Sequence, residues 1–259
     1  MRASNNHQIF FIYLNDDISR IPESDKSNYT QFFENGIIAI SKISCSELDF
    51  LKKIERNQNL ELIRYFDCFY LLIPLTKKEI KKLYKEFFDF ISHDYENLID
   101  VQRNQENIYN LLKITRKHFN QFNKLKILDY GCGTGLSFDI AKKFNCELFG
   151  FDICPNMRTL ASQKGLIVWD EKKLMAQSAN CIDGVISSYV FHFLSDDAYL
   201  KLLYKILKPK GTLVANFHKN KNRDFIDRSL KKIGFNILTM DENKNKECRH
   251  GTYVVYYKR

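Results

Sequence analysis

The stretch Ile127-Leu128-Asp129-Tyr130-Gly131-Cys132-Gly133-Thr134-Gly135 constrains this chain more than any other. An apolar strand runs into a turn with glycine at alternate positions, and a helix-forming segment follows. Glycines at that spacing let the backbone pass within contact distance of a ligand, where a Cβ would collide. The helix start behind them offers free N–H groups and a positive dipole end. In open α/β sheets, ligands bind at the carboxyl ends of the strands near the switch in strand order.

The rest of residues 91–259 fits such a sheet. Strands are expected at 125–129, 147–151, 166–169, 182–188 and 212–217, with helices at 135–144, 155–163, 196–207 and 224–233. Pro155 sits in the first turn of its helix, Pro209 follows the end of another, and Gly234 closes the last. Uniformly apolar strands alternating with helices imply a parallel sheet covered on both faces. Residues 235–240 and 252–257 have no helix between them, so an antiparallel pair at the sheet edge is expected. Residues 1–90 read as a separate small α+β region. Strands are expected at 8–14, 36–43 and 60–75, and helices over 46–54 and from Thr76, whose Glu79 completes a capping box.

Composition narrows the class. The 259 residues are 44% apolar and 27% charged, which is globular. No apolar run approaches the length needed to cross a bilayer. The N-terminus shows no charged leader followed by an apolar stretch. Seven cysteines without C-x-x-C spacing suggest neither a disulfide framework nor a zinc site. A reducing, cytoplasmic setting and no metal are therefore expected. Charge is uneven: residues 1–90 carry 13 Lys+Arg against 13 Asp+Glu, whereas residues 201–259 carry 15 against 5. A basic segment of that kind suits an anionic partner such as RNA, or simply a solvated surface.

The glycine turn itself separates two ligand classes. A dinucleotide fingerprint needs glycine or alanine at 136, and Leu136 stands there. Asp129, just before the first glycine, would repel a pyrophosphate but pair with an ammonium group. Both facts favour a ligand with a cationic amino-acid end.

With these residues in place, the chain resembles the class I S-adenosylmethionine-dependent methyltransferases over roughly residues 91–259. The first family motif is matched by Asp129-x-Gly131-x-Gly133-x-Gly135, the second strand end by Phe149-Gly150-Phe151-Asp152-Ile153. Asp170 after Trp169, the strand Ile182-Asp183-Gly184-Val185-Ile186-Ser187-Ser188, and the turn Leu207-Lys208-Pro209-Lys210-Gly211 follow in family order. Leu174-Met175-Ala176 lacks the proline usual after the adenine-binding acid. The resemblance implies a Rossmann-like α/β fold: a mostly parallel seven-stranded sheet with helices on both faces, preceded by the small α+β region. It implies S-adenosylmethionine as cofactor. Gly131, Gly133, Gly135 and Asp129 would hold the methionine part, Asp152 the ribose hydroxyls, and Asp170 the adenine amino group, with Ile153 and Ser187 also at the cofactor.

A sulfonium donor is already activated, so no catalytic dyad is required. A base is needed only if the acceptor loses a proton early. His192 is the candidate catalytic residue, with Tyr189, Asn216 and His218 as neighbours after the fourth and fifth strands. The Asp94-Tyr95 pair falls where related enzymes fold a segment over the cofactor. No Asn-Pro-Pro-Tyr box follows the fourth strand, which disfavours nucleobase amino groups. The expected function is methyl transfer to a small molecule or carrier-bound metabolite. The alternatives are an RNA- or ribosome-directed methyltransferase and a non-catalytic cofactor-binding partner subunit.

Overall fold

A computed structural model describes side chains over residues 84–85, 87–120, 122–191, 193, 197–217, 223–238 and 251–259, and the backbone of strands at 9–13, 37–41, 60–65, 69–74 and 239–241. The chain divides into two compact units, Met1–Phe87 and Phe88–Arg259.

The first unit holds a four-stranded sheet of β1 (Ile9–Tyr13), β2 (Ile37–Ser41), β3 (Leu60–Tyr65) and β4 (Phe69–Pro74), in the order β2-β1-β4-β3. β1 and β4 run parallel; the outer pairs are antiparallel. The single strand expected over 60–75 is instead a hairpin, with Leu60 opposite Pro74 and Tyr65 opposite Phe69. In the sequence, apolar patterning on both sides conceals Asp67, a residue type that favours turns. The helix expected over 46–54 and the start of the one from Thr76 lie outside the described residues.

The second unit opens with a short helix α1 (Tyr95–Leu98) and a long one, α2 (Val101–Lys117). The strand–helix alternation of the sequence does not announce α2. Asp100 caps it by accepting the Arg103 N–H at 2.9 Å. Asn107, Ile108, Leu111, Leu112 and Thr115 form its buried stripe. Gly184 lets that stripe come close: a Cβ there would lie 2.8 Å from Thr115 Cγ2.

The remaining elements are β5 (Leu125–Tyr130), α3 (Ser137–Ala141), β6 (Cys146–Phe151), α4 (Pro155–Gln163), β7 (Ile167–Trp169), α5 (Glu171–Met175), β8 (Ile182–Ser187), α6 (Asp197–Ile206), β9 (Leu207–Phe217), α7 (Arg223–Ile233), β10 (Phe235–Asp241) and β11 (Thr252–Lys258). They form a seven-stranded sheet ordered β10-β11-β9-β8-β5-β6-β7. β5, β6, β7, β8 and β9 are parallel, and β11 runs antiparallel to both β9 and β10. The expected antiparallel pair forms, but β11 slots inside β10 and pairs with β9. The fold is thus the Rossmann-like one that the resemblance implied.

Two boundaries differ from expectation. The helix expected over 135–144 shortens to α3 plus a 3₁₀ turn, Lys142–Phe144, after which Asn145 takes a left-handed φ of 45°. An asparagine in that conformation ends a helix. β9 starts at Leu207, before the glycine turn and not after it. Leu207 pairs with Ile182 and then Thr212 with Gly184, so residues 208–211 bulge, with Lys210 at φ 65°. Asp183 braces the bulge, accepting the Lys126 N–H at 2.8 Å and pairing with Lys208 Nζ at 2.7 Å.

The chain order reverses between β5 and β8. After β5 it builds outward through β6 and β7; it then returns to β8 and builds the other way. A cleft opens above such a switch point, at the carboxyl ends of the two strands.

Candidate functional site

The turn after β5 floors this cleft. The Gly131 and Cys132 N–H groups both donate to the Phe151 carbonyl, at 2.7 and 3.0 Å, tying the turn to the end of β6. The Gly133 N–H donates to Asp152 Oδ2 at 3.0 Å. Asp152 Oδ1 accepts the Cys154 N–H at 2.9 Å. The acid after β6 therefore sets the glycine turn, and with the N–H groups of Gly133 and Cys154 and the Cys154 side chain as partners its carboxylate keeps acceptor capacity for an outside donor.

All three glycines are left-handed, with φ of 83°, 51° and 83°. They are not equivalent. A Cβ on Gly131 would lie 2.2 Å from Val190 Cγ2, and one on Gly135 2.8 Å from Ala161 Cα. Those two glycines permit close packing within the protein. A Cβ on Gly133 would touch only Tyr95 Cε1, at 3.8 Å. Gly133 alone of the three has room for a Cβ, which would meet the Tyr95 ring edge in ordinary contact.

Asp129 lies beneath the turn, 2% exposed. Its Oδ1 has no hydrogen-bond partner among the described residues. Burial pushes its carboxyl up to about 7; the Ser137 hydroxyl opposes this and the nearby Asp152 charge adds to it. Burial also raises Asp152, while the N–H groups of Cys154 and Gly133 hold it down. Arg158 braces the backbone there, donating from Nη1 to the carbonyls of Asp152 at 2.7 Å and of Ile153 at 3.2 Å.

Asp170 is exposed and caps α5, with Oδ1 accepting the Lys173 N–H at 2.7 Å. It lines an open cleft of about 520 Å³ together with Pro155, Arg158, Thr159 and Lys173. Ser187 ends β8, next to the end of β5. It is fully buried, and its hydroxyl donates to the Tyr130 carbonyl at 3.1 Å, joining the ends of β8 and β5. That hydroxyl spends its proton on joining the two strands and keeps its acceptor lone pairs. His192 and His218 lie outside the described residues. Asn216, fully buried at the end of β9, accepts the Tyr189 N–H at 2.7 Å.

Residues 88–98 pass over the turn. The Asn156 N–H donates to Asp89 Oδ1 at 2.8 Å. Glu96 accepts from the Thr134 hydroxyl and pairs with Lys164. Burial raises the Glu96 carboxyl, but these two partners outweigh it and hold the group below its usual range. Tyr95 sits over Gly133, and burial together with the Asp152 charge pushes its phenol up. The sequence hint at Asp94-Tyr95 is a position near this strap. Its clamp, Glu96 with Thr134 and Lys164, had no signal, because partners 38 and 68 residues apart share no pattern.

The arrangement suits a ligand with a hydroxyl-bearing end and a cationic end. Asp152 offers acceptors at the first, an unpartnered carboxylate oxygen lies at the second, and Gly133 admits the ligand between them. Among the described residues no group of His, Cys, Asp and Glu could hold a metal ion. None of the described helices is long and apolar enough to cross a membrane.

Residues 128–215 match the family described as a methyltransferase domain. That span runs from β5 into β9 and contains the glycine turn, Asp152 and Asp170. Over that span the chain is similar to methyltransferases, and its seven-stranded sheet has the class I methyltransferase fold. S-adenosylmethionine is the cofactor of that family, and the orphaned Asp129 oxygen and the open face of Gly133 fit it. The mitochondrial ubiquinone biosynthesis O-methyltransferase of Mus musculus is 28% identical over 118 residues, 40% of this chain and 32% of that protein. The Rattus norvegicus enzyme is 26% identical over 118 residues, 40% of this chain and 34% of its own length. The chain thus matches about a third of the length of these curated relatives. Among solved structures, the 1,6-didemethyltoxoflavin-N1-methyltransferase of Burkholderia thailandensis has a TM-score of 0.55 at 16% identity, covering 77% of this chain and 94% of that one. The magnesium protoporphyrin IX methyltransferase of Synechocystis has a TM-score of 0.52 at 18% identity, covering 70% and 97%. At these identities the likeness shows the shared methyltransferase fold alone.

Proposed function

We propose that this chain is a methyltransferase that uses S-adenosylmethionine to methylate a small molecule or a carrier-bound metabolite. The observation that carries this reading is the pairing of Gly133 with Asp152. The glycine has room for a Cβ that its two neighbours lack, and the carboxylate that orients it keeps acceptor capacity. Asp152 would take the ribose hydroxyls, with Ile153 beside it. Asp129 would face the ammonium group, and the backbone of Gly131, Gly133 and Gly135 the methionine part. Asp170 spends one oxygen on its cap and would offer the other to the adenine amino group.

The bound cofactor supplies a methyl group already activated by the sulfonium. The protein has only to align the acceptor, exclude water and, for an acidic acceptor, take a proton. His192, which follows β8 between the buried Phe191 and the half-buried Phe193, is proposed as that base. Residues 1–90 are proposed as an accessory region for the acceptor. The names of the similar proteins support a small-molecule acceptor: a ubiquinone precursor, a toxoflavin precursor and a magnesium porphyrin.

The test is calorimetric titration with S-adenosylhomocysteine, with NADH as the control. Micromolar binding of the first and none of the second is expected. No binding of S-adenosylhomocysteine would overturn the assignment. The variant Asp152→Ala should bind it more weakly by about 1–3 kcal/mol, the cost of losing charge-assisted hydrogen bonds. Unchanged affinity in a variant with wild-type circular dichroism would contradict the ribose role.

A further inference from the structure

The excess of Lys and Arg in the C-terminal part of the chain takes no part in the cleft. Much of it lies at the opposite end of the seven-stranded sheet, where the parallel strands begin and the helices between them end. Hydrogen bonds draw this end together. The Asn180 N–H donates to the Lys205 carbonyl at 3.0 Å and the Cys181 N–H to the Ile206 carbonyl at 2.8 Å, which sets the end of α6 beside the start of β8. Asp183 takes the Lys126 N–H and Lys208 Nζ. The Cys181 thiol, raised by burial, feels the charges of Lys126, Lys208 and Lys205. Lysine in the last turn of a helix suits the helix dipole, which accounts for Lys117 and Lys205. It does not account for Lys124, Lys126, Lys208 and Lys210, which lie just before strands or within them. Among the described residues the acids near this edge are Asp139, Glu147 and Asp183. Two of them are paired, Asp139 with Lys142 and Asp183 with Lys208.

A second feature stands at the same end. Phe122, between α2 and β5, is 81% exposed, the most of any large apolar side chain among the described residues. It does not hang from a loose loop. Arg116 donates from Nη1 to the Asn123 carbonyl at 2.7 Å and from Nη2 to the Asn120 carbonyl at 2.9 Å. The Phe122 N–H donates to Asn120 Oδ1 at 3.0 Å, and the Asn123 N–H to the Asn120 carbonyl at 3.2 Å. A built turn thus presents a bare aromatic ring, with the exposed Lys117, Lys124 and Lys126 close by in the chain.

We propose that this end of the domain docks on an anionic lipid surface, with Phe122 entering the headgroup layer and the lysines facing the lipid phosphates. Such a contact needs no spanning helix, and it leaves the cleft, at the far end of the strands, turned away from the bilayer. The make-up of the patch selects this partner. Lysine is depleted at protein–protein interfaces, where arginine is enriched. Single-stranded nucleic acid is held on a row of stacking aromatics, and this turn offers one. A lipid surface uses both features: flexible ammonium groups meet its phosphates, and one aromatic reaches its apolar boundary. The inference goes beyond the proposed function and does not rest on it.

The experiment is co-sedimentation of the full chain with vesicles of phosphatidylcholine alone and of phosphatidylcholine mixed with phosphatidylglycerol. Binding to the mixed vesicles and not to the neutral ones is expected, with release at about 1 M salt, where screening is nearly complete. Phe122→Ser should weaken binding about tenfold, part of what full burial of a phenylalanine is worth. Lys124→Gln and Lys126→Gln should each weaken it about fivefold. Phe122→Trp should bind as the wild type does, and its emission should shift to the blue on the mixed vesicles; Trp169, 4% exposed in the core, does not respond. Wild-type affinity for S-adenosylhomocysteine in these variants is expected, since none of the substituted side chains lines the cleft. Equal binding to both kinds of vesicle, or undiminished binding of Phe122→Ser, would overturn the inference. So would salt-sensitive binding to a single-stranded RNA oligonucleotide without binding to vesicles, which would assign the patch to nucleic acid.

Discussion

Gly133→Val is expected to abolish S-adenosylhomocysteine binding and to lower the melting temperature by only a few degrees. The left-handed φ of 51° costs a β-branched residue about 1–2 kcal/mol. For a domain of this size that is a shift of roughly 2–8 °C. No packing clash adds to it, because a Cβ at 133 meets only the Tyr95 ring edge at 3.8 Å. The valine side chain is expected to occupy the space that the ligand would need in front of the turn. Gly131→Val is the contrasting variant. Its Cβ would lie 2.2 Å from Val190 Cγ2, so it should lose stability along with binding. Thermal melting and calorimetry on both variants separate the cases. Full affinity in folded Gly133→Val would mean that the ligand does not approach this face of the turn.

The second large effect is on pH. Asp129 has its carboxyl raised to about 7 by burial. A ligand bearing an ammonium group favours the ionised form, so binding should release a proton and tighten as pH rises. Between pH 6 and 8 the affinity should increase about tenfold if only the ionised form binds. Asp129→Asn should flatten that profile. Proton release is measurable by repeating the titration in buffers of different ionisation heat. Stability carries the opposite sign. The folded protein holds this proton more tightly than the unfolded chain does. The resulting stabilisation is fully present below about pH 4 and is lost as pH rises through about 7. Asp129→Asn should therefore gain melting temperature over the wild type as pH increases from 6 to 8. A gain that is constant with pH would show that Asp129 is already ionised in the free protein.

Some of this site was legible because it depends on local covalent facts. Asp152 follows an apolar strand at the spacing that a second strand end requires, and the structure puts its oxygens on Gly133 and Cys154. Asp170 was legible as an acid ending a strand, and it does cap the next helix. The bond from Ser187 to the Tyr130 carbonyl is not legible in the sequence, because alternation along a strand says which residues point the same way, not which strand end a hydroxyl will meet. The helix α2 is not legible in the sequence because its buried stripe includes Asn107 and Thr115, polar residues whose partners are Ser188, Tyr253 and the Leu111 carbonyl. A polar residue satisfied by a distant partner looks like surface in a sequence.

The elements and their class follow from the order of residues alone. Apolar runs of strand length, helix periodicity, and glycine where the backbone must turn are properties of each residue and its near neighbours. Residue order could not distinguish Gly131, Gly133 and Gly135, which have the same chemistry and the same spacing. Folding in three dimensions separates them: Val190 fills the space at the first, Ala161 the space at the third, and nothing but the edge of Tyr95 lies near the second. The same holds for Asn216 and Tyr189, 27 residues apart along the chain. Side chains from separate strands meet only when the sheet brings their ends together, and what a residue faces there is set by its neighbours in space.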